Sequence, residues 1–174
     1  MKYILKLFIV LFFVTVSNQS YAEQKIVTLD LTFLLNESKA GKGAQDFLKK
    51  TYDSNAKKFV DIEKKLKKKE KDLLSKKDTL SKEDYSKEMN ELRKSFSDYQ
   101  TERRSSIDKL TKQRAGAREV LLKKLDPILK NYINENNVSL VIDKKIILGG
   151  APDNDITKII VEKINKELPS LDLK

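Results

Sequence analysis

The longest uninterrupted feature of the sequence runs from Ala44 to Ala115 and contains no glycine or proline across its 72 residues. In its first half apolar residues recur every seven positions, and in its second half they alternate in steps of three and four, with a polar interruption at Arg103 and Ser106. This spacing is typical of the narrow apolar seam of a coiled coil. The seam residues are Tyr52, Phe59, Ile62, Leu66, Leu73, Leu80, Tyr85, Met89, Leu92, Phe96, Tyr99 and Leu110.

The segment from Ser75 to Ser81 loses the apolar period and predicts a turn. Ser81 followed by Asp84 is a capping-box-like start, and acidic residues there favour a helix N-terminus. We therefore predict a helical-hairpin arm over residues 44–115 with its tip near residues 75–81. The outgoing helix would be about 50 Å long and the returning helix, continued to Leu125, about 65 Å. A coiled coil that serves only as a spacer would have the same periodicity.

Residues 1–22 have the composition of a secretory signal peptide. Lys2 and Lys6 lie beside a short apolar run, and Ser20, Tyr21 and Ala22 form a small-x-small cleavage site. We expect export and cleavage after Ala22. The alternative is an uncleaved membrane anchor, although the apolar run is shorter than the ~20 residues that a spanning helix needs. Because the sequence has no cysteine, we expect neither a lipid anchor on that residue nor disulfides.

The basic character of the chain lies in the arm. Removing Lys2 and Lys6 lowers the formal charge from +10 to +8, and the arm alone has 21 Lys and Arg against 14 Asp and Glu. A field of this sign favours acidic polymers, anionic lipid head groups or acidic proteins as partners. For any single lysine, a solvated helix surface explains the charge equally well.

Short regular elements are predicted on both sides of the arm. Before it, residues 25–31 are rich in β-branched side chains and predict a strand, and residues 32–37 predict a short helix. Gly41 and Gly43 would allow a bend at the entry to the arm. After it, Asp126 and Pro127 mark either a kink in a continuing helix or a fresh start capped by Asp126.

The C-terminal part predicts two strands and a helix. The helix after Pro127 should end at Asn136 and Asn137, and residues 138–142 form the clearest strand pattern. Residues 145–148 predict another strand, joined to the first as a hairpin through two residues. Asn154 or Asp155 would cap a last amphipathic helix with Ile156, Ile159, Ile160 and Ile164 on one side, ending at Leu168 and Pro169.

Together these elements predict an α+β fold. Residues 23–43 and 116–174 would form a small β-rich body of three short strands, with the arm inserted between them. A body of about 80 residues buries limited apolar surface and is marginally stable alone. We therefore expect an obligate oligomer in which strands of several chains complete a common sheet or barrel.

Few residues offer catalytic chemistry. The chain has no histidine and no cysteine, so the commonest general base, the thiol nucleophile and the usual zinc ligands are missing. Gly149 and Gly150 do not belong to a phosphate-loop pattern, and the acidic residues are interleaved with lysine as in solvated helix pairs. We expect no enzyme, no cofactor and no metal site. Nucleic-acid binding is not expected, because export and the scarcity of arginine and aromatic interleaving oppose it.

With its elements in this order, the chain resembles the Skp (OmpH-like) family of periplasmic chaperones over its whole length. The resemblance rests on LNES at residues 35–38 with AGK at 40–42, on LVID at 140–143 and on DIT at 155–157. It implies a homotrimer with a β-rich trimerisation body and three arms that enclose a cavity. In the periplasm this cavity would hold unfolded outer-membrane proteins without ATP, through many weak contacts.

The resemblance also implies candidate site residues. Hinges that let the arms open would be Gly41, Gly43 and Pro127, with a fixed kink as the alternative for Pro127. A basic patch on the returning helix, proposed to bind lipopolysaccharide, corresponds here to Lys109, Lys112, Arg114 and Arg118. The adjacent pair Arg103 and Arg104 lies nearer the tip.

Two other functions fit the same residues. One is a structural coiled-coil protein that bridges envelope components, and the other is a basic binder of polyanions or lipid surfaces. A bridging protein would bind a folded partner and ignore unfolded clients. A polyanion binder would lose its ligand steeply with salt and show no preference for unfolded protein.

Overall fold

The computed structural model describes residues 24–173, and the predicted signal peptide lies outside these residues. The chain is mostly helical, with one small sheet. The elements are β1 Lys25–Leu29, α1 Leu31–Glu37, α2 Lys39–Ser75, α3 Lys82–Glu135, β2 Val138–Asp143 and α4 Thr157–Glu167, with 3₁₀ turns at Lys144–Ile146 and Pro152–Asn154.

The predicted hairpin is present as α2 and α3. Helix α2 has 37 residues and α3 has 54, which correspond to lengths of about 55 and 80 Å. The turn between them lies within the segment for which the sequence predicts it. The Ser81 hydroxyl accepts a hydrogen bond from the Asp84 backbone N–H at 3.1 Å, so Ser81 caps α3 as its sequence indicates.

Helix α3 continues through Pro127, which lies inside it. The alternative of a fresh helix start at Asp126 is therefore wrong. Proline removes one helical hydrogen bond. The helix persists because Leu125 and Ile128, on either side of Pro127, are both buried in the same core and hold the backbone in place.

The sheet pairs β1 with β2 in parallel, with Ile26 opposite Leu140 and Leu29 opposite Asp143. Parallel neighbours need a long crossover, and here the whole arm is that connection. The predicted hairpin and third strand at residues 145–148 are wrong. Asp143 accepts a hydrogen bond from the Lys145 N–H at 3.0 Å, which turns the chain into a 3₁₀ turn instead of a strand. Within residues 24–173 the body thus has two strands rather than three.

The core of the body lies between the inner face of β1 and helices α1, α3 and α4. The predicted apolar side of α4 is confirmed for Ile156, Ile160 and Ile164, which are 0–2% exposed, whereas Ile159 is exposed. The remaining buried members of this core are Val27, Leu29, Leu34, Ala40, Leu121, Leu125, Ile128, Tyr132 and Val138. Residues from both ends of the chain therefore build one core, which closes the base of the arm.

Candidate functional site

The seam of the arm forms a cluster of large buried side chains in its outer half. There Leu66, Leu73 and Leu92 are buried. Partly buried neighbours complete this distal cluster: Ile62, Leu80, Tyr85, Met89, Phe96 and Tyr99. Ring contact between Phe59 and Tyr99, with centroids 6.0 Å apart, lies at its inner end. The distal cluster and the core of the body are separate, so the arm between them is held by other contacts.

A polar layer lies between the distal cluster and the body. The Asn55 amide donates to the Ser106 hydroxyl at 2.8 Å, and Lys58 pairs with Glu102 across the two helices. This is the place where the sequence shows a polar interruption of the returning seam. Cross-helix hydrogen bonds replace apolar packing here, so this stretch fixes the pairing of the helices with little buried area.

Below the polar layer, α2, α3 and the end of α1 border an open groove of about 1100 Å³, which we call the base groove. Its apolar lining consists of Leu35, Ala44, Leu48, Tyr52, Ile107, Leu110, Ala117 and Leu121, and its polar lining of Asn36, Gln45, Asp46, Lys49, Thr111, Arg114 and Arg118. A smaller cavity of about 190 Å³ continues it toward the tip and shares Tyr52, Ile107 and Leu110. The groove therefore runs along the inner half of the arm.

Tyr52 differs from its prediction as a seam residue. It is 59% exposed, and Ile107 on the facing helix is 52% exposed. The sequence period places Tyr52 on the side of α2 that faces α3, but its ring borders the open groove together with Ile107 and Leu110 and is not packed into a closed seam. Sequence periodicity alone misses the groove. The local signal beside it is the polar interruption at Arg103 and Ser106, followed by the small residues Ala115, Gly116 and Ala117 on α3.

The structure divides the predicted basic patch into two pairs. Arg114 and Arg118 line the base groove, whereas Lys109 and Lys112 do not. At 100° per residue, the two lysines are turned by roughly 120–180° from the two arginines around α3. All four side chains are exposed, and none forms an ion pair within residues 24–173. The four residues therefore do not form a single surface.

Two of the three predicted hinge residues lie near the start of α2. Ser38 caps this helix by accepting the Gly41 N–H at 3.2 Å. A Cβ at Gly41 would lie 2.0 Å from the Leu35 carbonyl oxygen, while one at Gly43 would meet nothing within 4 Å. Gly41 thus allows a close approach of α1 and α2. A hinge role for Gly41, Gly43 and Pro127 stays a prediction.

An ion-pair network at the top of β1 connects the body's elements. The Asp155 carboxylate accepts hydrogen bonds from the Lys144 ammonium at 2.6 Å and from the Thr157 N–H at 2.9 Å. The N-cap residue of α4 is Ile156, which makes no side-chain cap, so the prediction that Asn154 or Asp155 is the cap is wrong; Asp155, one residue earlier, bonds the Thr157 N–H instead. Partial burial alone would raise the pKa of Asp155, but the hydrogen bonds from Lys144 and Thr157 outweigh it and lower this pKa to about 2.

The outer face of the sheet is apolar and uncovered in the single chain. Ile26 is 41% exposed and its cross-strand neighbour Leu140 is 51% exposed. Beyond β2, Ile146 is 75% exposed and Leu148 fully exposed. An apolar sheet face normally packs against another layer, so this face is a candidate surface for contact with other copies of the chain.

The described residues offer little for other kinds of site. No group of three or more acidic side chains in residues 24–173 is arranged to hold a metal ion. Within the same residues, every helix is too short or too polar to cross a membrane. Exposed ion pairs perturb carboxylates on the two long helices: a hydrogen bond from Lys67 lowers the pKa of Glu63 on α2, and one from Lys123 lowers the pKa of Glu119 on α3.

Comparison with known proteins agrees with this architecture. Among solved structures, the fold is similar to that of a candidate outer membrane chaperone (OmpH-like) from Caulobacter crescentus CB15, with a TM-score of 0.78. The two sequences are 16% identical, and the similarity covers 87% of this chain and 89% of the other, so it shows a common fold. No curated protein matches this sequence. The model of the family described as outer membrane protein (OmpH-like) matches residues 25–164, and the chain therefore belongs to the OmpH-like family.

Proposed function

We propose that the protein is an ATP-independent periplasmic holdase chaperone. Three copies form a trimer whose arms enclose a cavity, and unfolded outer-membrane proteins are held there without aggregating until they insert into the membrane. The first 22 residues direct export and are removed. The protein holds its clients without catalytic activity and without a cofactor.

The observation that carries the proposal is the unsealed apolar surface of a basic arm. Tyr52, Val60 and Ile107 are about half exposed along its inner half, on a hairpin with an excess of seven positive charges. Scattered apolar side chains can make weak, exchangeable contacts with an extended chain, and the positive field attracts acidic clients from a distance. Membership of the OmpH-like family and the fold shared with the Caulobacter protein support this function.

The uncovered sheet face supports the trimer. Ile26 and Leu140 form an apolar surface that three copies would bury around a common axis, together with Ile146 and Leu148. We expect Leu140→Lys to dissociate the trimer into monomers, since a charge would enter its core. Ser139→Lys on the same strand, at an exposed position, is the matched control. Light scattering at two protein concentrations measures the oligomeric mass of both variants. A Leu140→Lys protein with the same mass as the wild-type protein would contradict the proposed interface.

The holdase activity is tested with a urea-unfolded outer-membrane protein diluted into buffer. One trimer per client should keep it soluble, and aggregation at that ratio would contradict the proposal. Binding to a folded envelope protein with indifference to the unfolded client would instead support the structural-bridge alternative. Binding to any polyanion that falls steeply with added salt, with no preference for unfolded protein, would support the polyanion alternative.

Anionic lipid or lipopolysaccharide is a second proposed partner of the arm. The unpaired basic residues favour it, but their division between two sides of α3 means that one flat patch of four does not exist. Arg114 and Arg118 on one side and Lys109 and Lys112 on the other are best tested separately, with vesicles that contain anionic phospholipid.

A further inference from the structure

We propose that the base groove is an anchoring site for one kind of client segment: an extended stretch of polypeptide in which an acidic side chain is flanked by apolar residues. The inference rests on the proposed chaperone function and makes it more specific. It adds a defined contact point at the base of each arm to the diffuse contacts along the cavity.

The groove exists because neither neighbouring cluster fills it. Leu48 and Ala117 are buried on its floor, while Tyr52 and Ile107 stand half exposed at its walls. A volume of about 1100 Å³ lies slightly above the usual range of ligand pockets, about 300–1,000 Å³, as suits an open groove for a chain segment. Exposed apolar walls around a concave surface of this size favour a ligand with apolar side chains.

Charge at the rim selects an acidic ligand. Arg114 and Arg118 lie one helical turn apart on the groove, and neither guanidinium has an ion-pair partner within residues 24–173. Lys49 adds a third positive charge, against the single carboxylate of Asp46. Arginine recognises carboxylates through paired hydrogen bonds, so an acidic side chain that enters the groove would find complementary donors.

The remaining polar groups favour a peptide over a lipid. The amides of Asn36 and Gln45, hydrogen-bonded to each other at 2.7 Å, line the same groove. Each amide keeps donor and acceptor capacity that backbone groups of an extended peptide can satisfy. An acyl chain offers no hydrogen bonds, so it would leave these groups unsatisfied if it covered them.

The test compares two labelled peptides, which are capped at both ends and differ at one position. Both alternate leucine and serine, and the central residue is glutamate in one and glutamine in the other. We expect the purified full chain to bind the glutamate peptide on the order of tenfold more tightly, as fluorescence anisotropy measures it. The double variant Arg114→Gln with Arg118→Gln should abolish this preference and leave the affinity for the glutamine peptide unchanged.

Lys109→Gln with Lys112→Gln is the matched control, because it removes the same charge from the other side of α3. It should keep the glutamate preference within about twofold, since screening weakens charges that lie away from the groove. Tyr52→Ala should weaken the binding of both peptides. Because all these positions are exposed, circular dichroism is expected to show unchanged helix content.

Three results with the peptides would each overturn the inference: no glutamate preference in the wild-type protein, a preference that survives in the arginine double variant, or equal losses of preference in the two double variants. Binding of anionic phospholipid vesicles that depends on the two arginines, with the peptide preference unaffected by them, would assign the groove to lipid and also overturn it.

The aggregation assay with an unfolded outer-membrane protein separates this inference from the chaperone function. If the wild-type protein suppresses aggregation but the peptide preference does not depend on the two arginines, the groove assignment fails alone. If the preference depends on them but aggregation is not suppressed, the groove assignment stands and the holdase function fails.

Discussion

Gly41 provides a direct test of how tightly the arm is joined to the body. A Cβ at this position would lie 2.0 Å from the Leu35 carbonyl oxygen and 3.0 Å from the Ser38 hydroxyl. The first distance is about 1 Å shorter than real contacts allow, and the obstructing atom belongs to the backbone. A rotamer change therefore cannot relieve the clash. Alanine at position 41 must push α1 away from α2 or distort the cap of α2.

Gly43 in the same helix is the matched control, because a Cβ there would meet nothing within 4 Å. Alanine in place of a helical glycine ordinarily gains up to about 1 kcal/mol, since it restricts the unfolded chain. At Gly41 an overpacking cost of about 1–3 kcal/mol or more outweighs this gain. We expect Gly43→Ala to be slightly stabilising and Gly41→Ala to be destabilising, with a difference of about 2–4 kcal/mol between them.

Urea denaturation, followed by circular dichroism at equal protein concentration, measures both variants, and the concentration must match because oligomerisation adds to apparent stability. A Gly41→Ala protein as stable as Gly43→Ala would refute the reasoning. It would mean that α1 and α2 can separate freely, and the hinge interpretation of Gly41 would gain support. A large loss confined to Gly41→Ala would indicate that this junction is fixed by close packing.

Two other predictions concern stability. Because the pKa of Asp155 is lowered from 3.8 to about 2 in the folded protein, its interactions contribute up to about 2 kcal/mol above pH 4, and this is lost as the pH falls toward 2. The urea midpoint of the wild-type protein should therefore exceed that of Asp155→Asn at pH 6, with a gap that narrows toward pH 2; a gap independent of pH would contradict the assigned pKa. In the arm, Leu66→Ala should lower the free energy of unfolding by about 2–5 kcal/mol, because Leu66 is buried in the distal cluster. Tyr52→Ala should lower it by less than about 1 kcal/mol, because the Tyr52 ring is mostly exposed. Thermal denaturation of both proteins checks this order, and equal losses would show that the groove closes around Tyr52 in solution.

Local sequence signals predicted the long elements well. Heptad spacing indicated the hairpin because a narrow apolar seam is a property of nearby residues, and Phe59, Leu66, Leu73 and Leu92 are indeed buried. The Ser81 cap was predictable for the same reason, since its hydroxyl and the Asp84 N–H are three residues apart. The apolar side of α4 likewise follows from a period of 3.6.

Features that depend on distant contacts were not predictable in this way. Strand β2 has β1 as its partner, more than a hundred residues away, and a local pattern of two apolar runs suggested a hairpin instead. The side chain of Asp143 decides the outcome by bonding to the Lys145 N–H, which ends the strand. Continuation of α3 through Pro127 similarly depends on burial of Leu125 and Ile128 in a core built from both ends of the chain.

The candidate site is hard to predict for a related reason. Periodicity records which residues face the partner helix, but it does not record how far away that helix is. Near the tip, Leu66, Leu73 and Leu92 hold the helices together. At the base, α2 is fixed to α4 by the Lys39 N–H, which donates to the Asn165 side chain at 2.7 Å, while α3 is fixed by its own buried residues in the body. Separate contacts therefore hold the two helices at this end, and close apolar contact between them is not required. For this reason Tyr52 and Ile107 can border an open groove that is also lined by arginine.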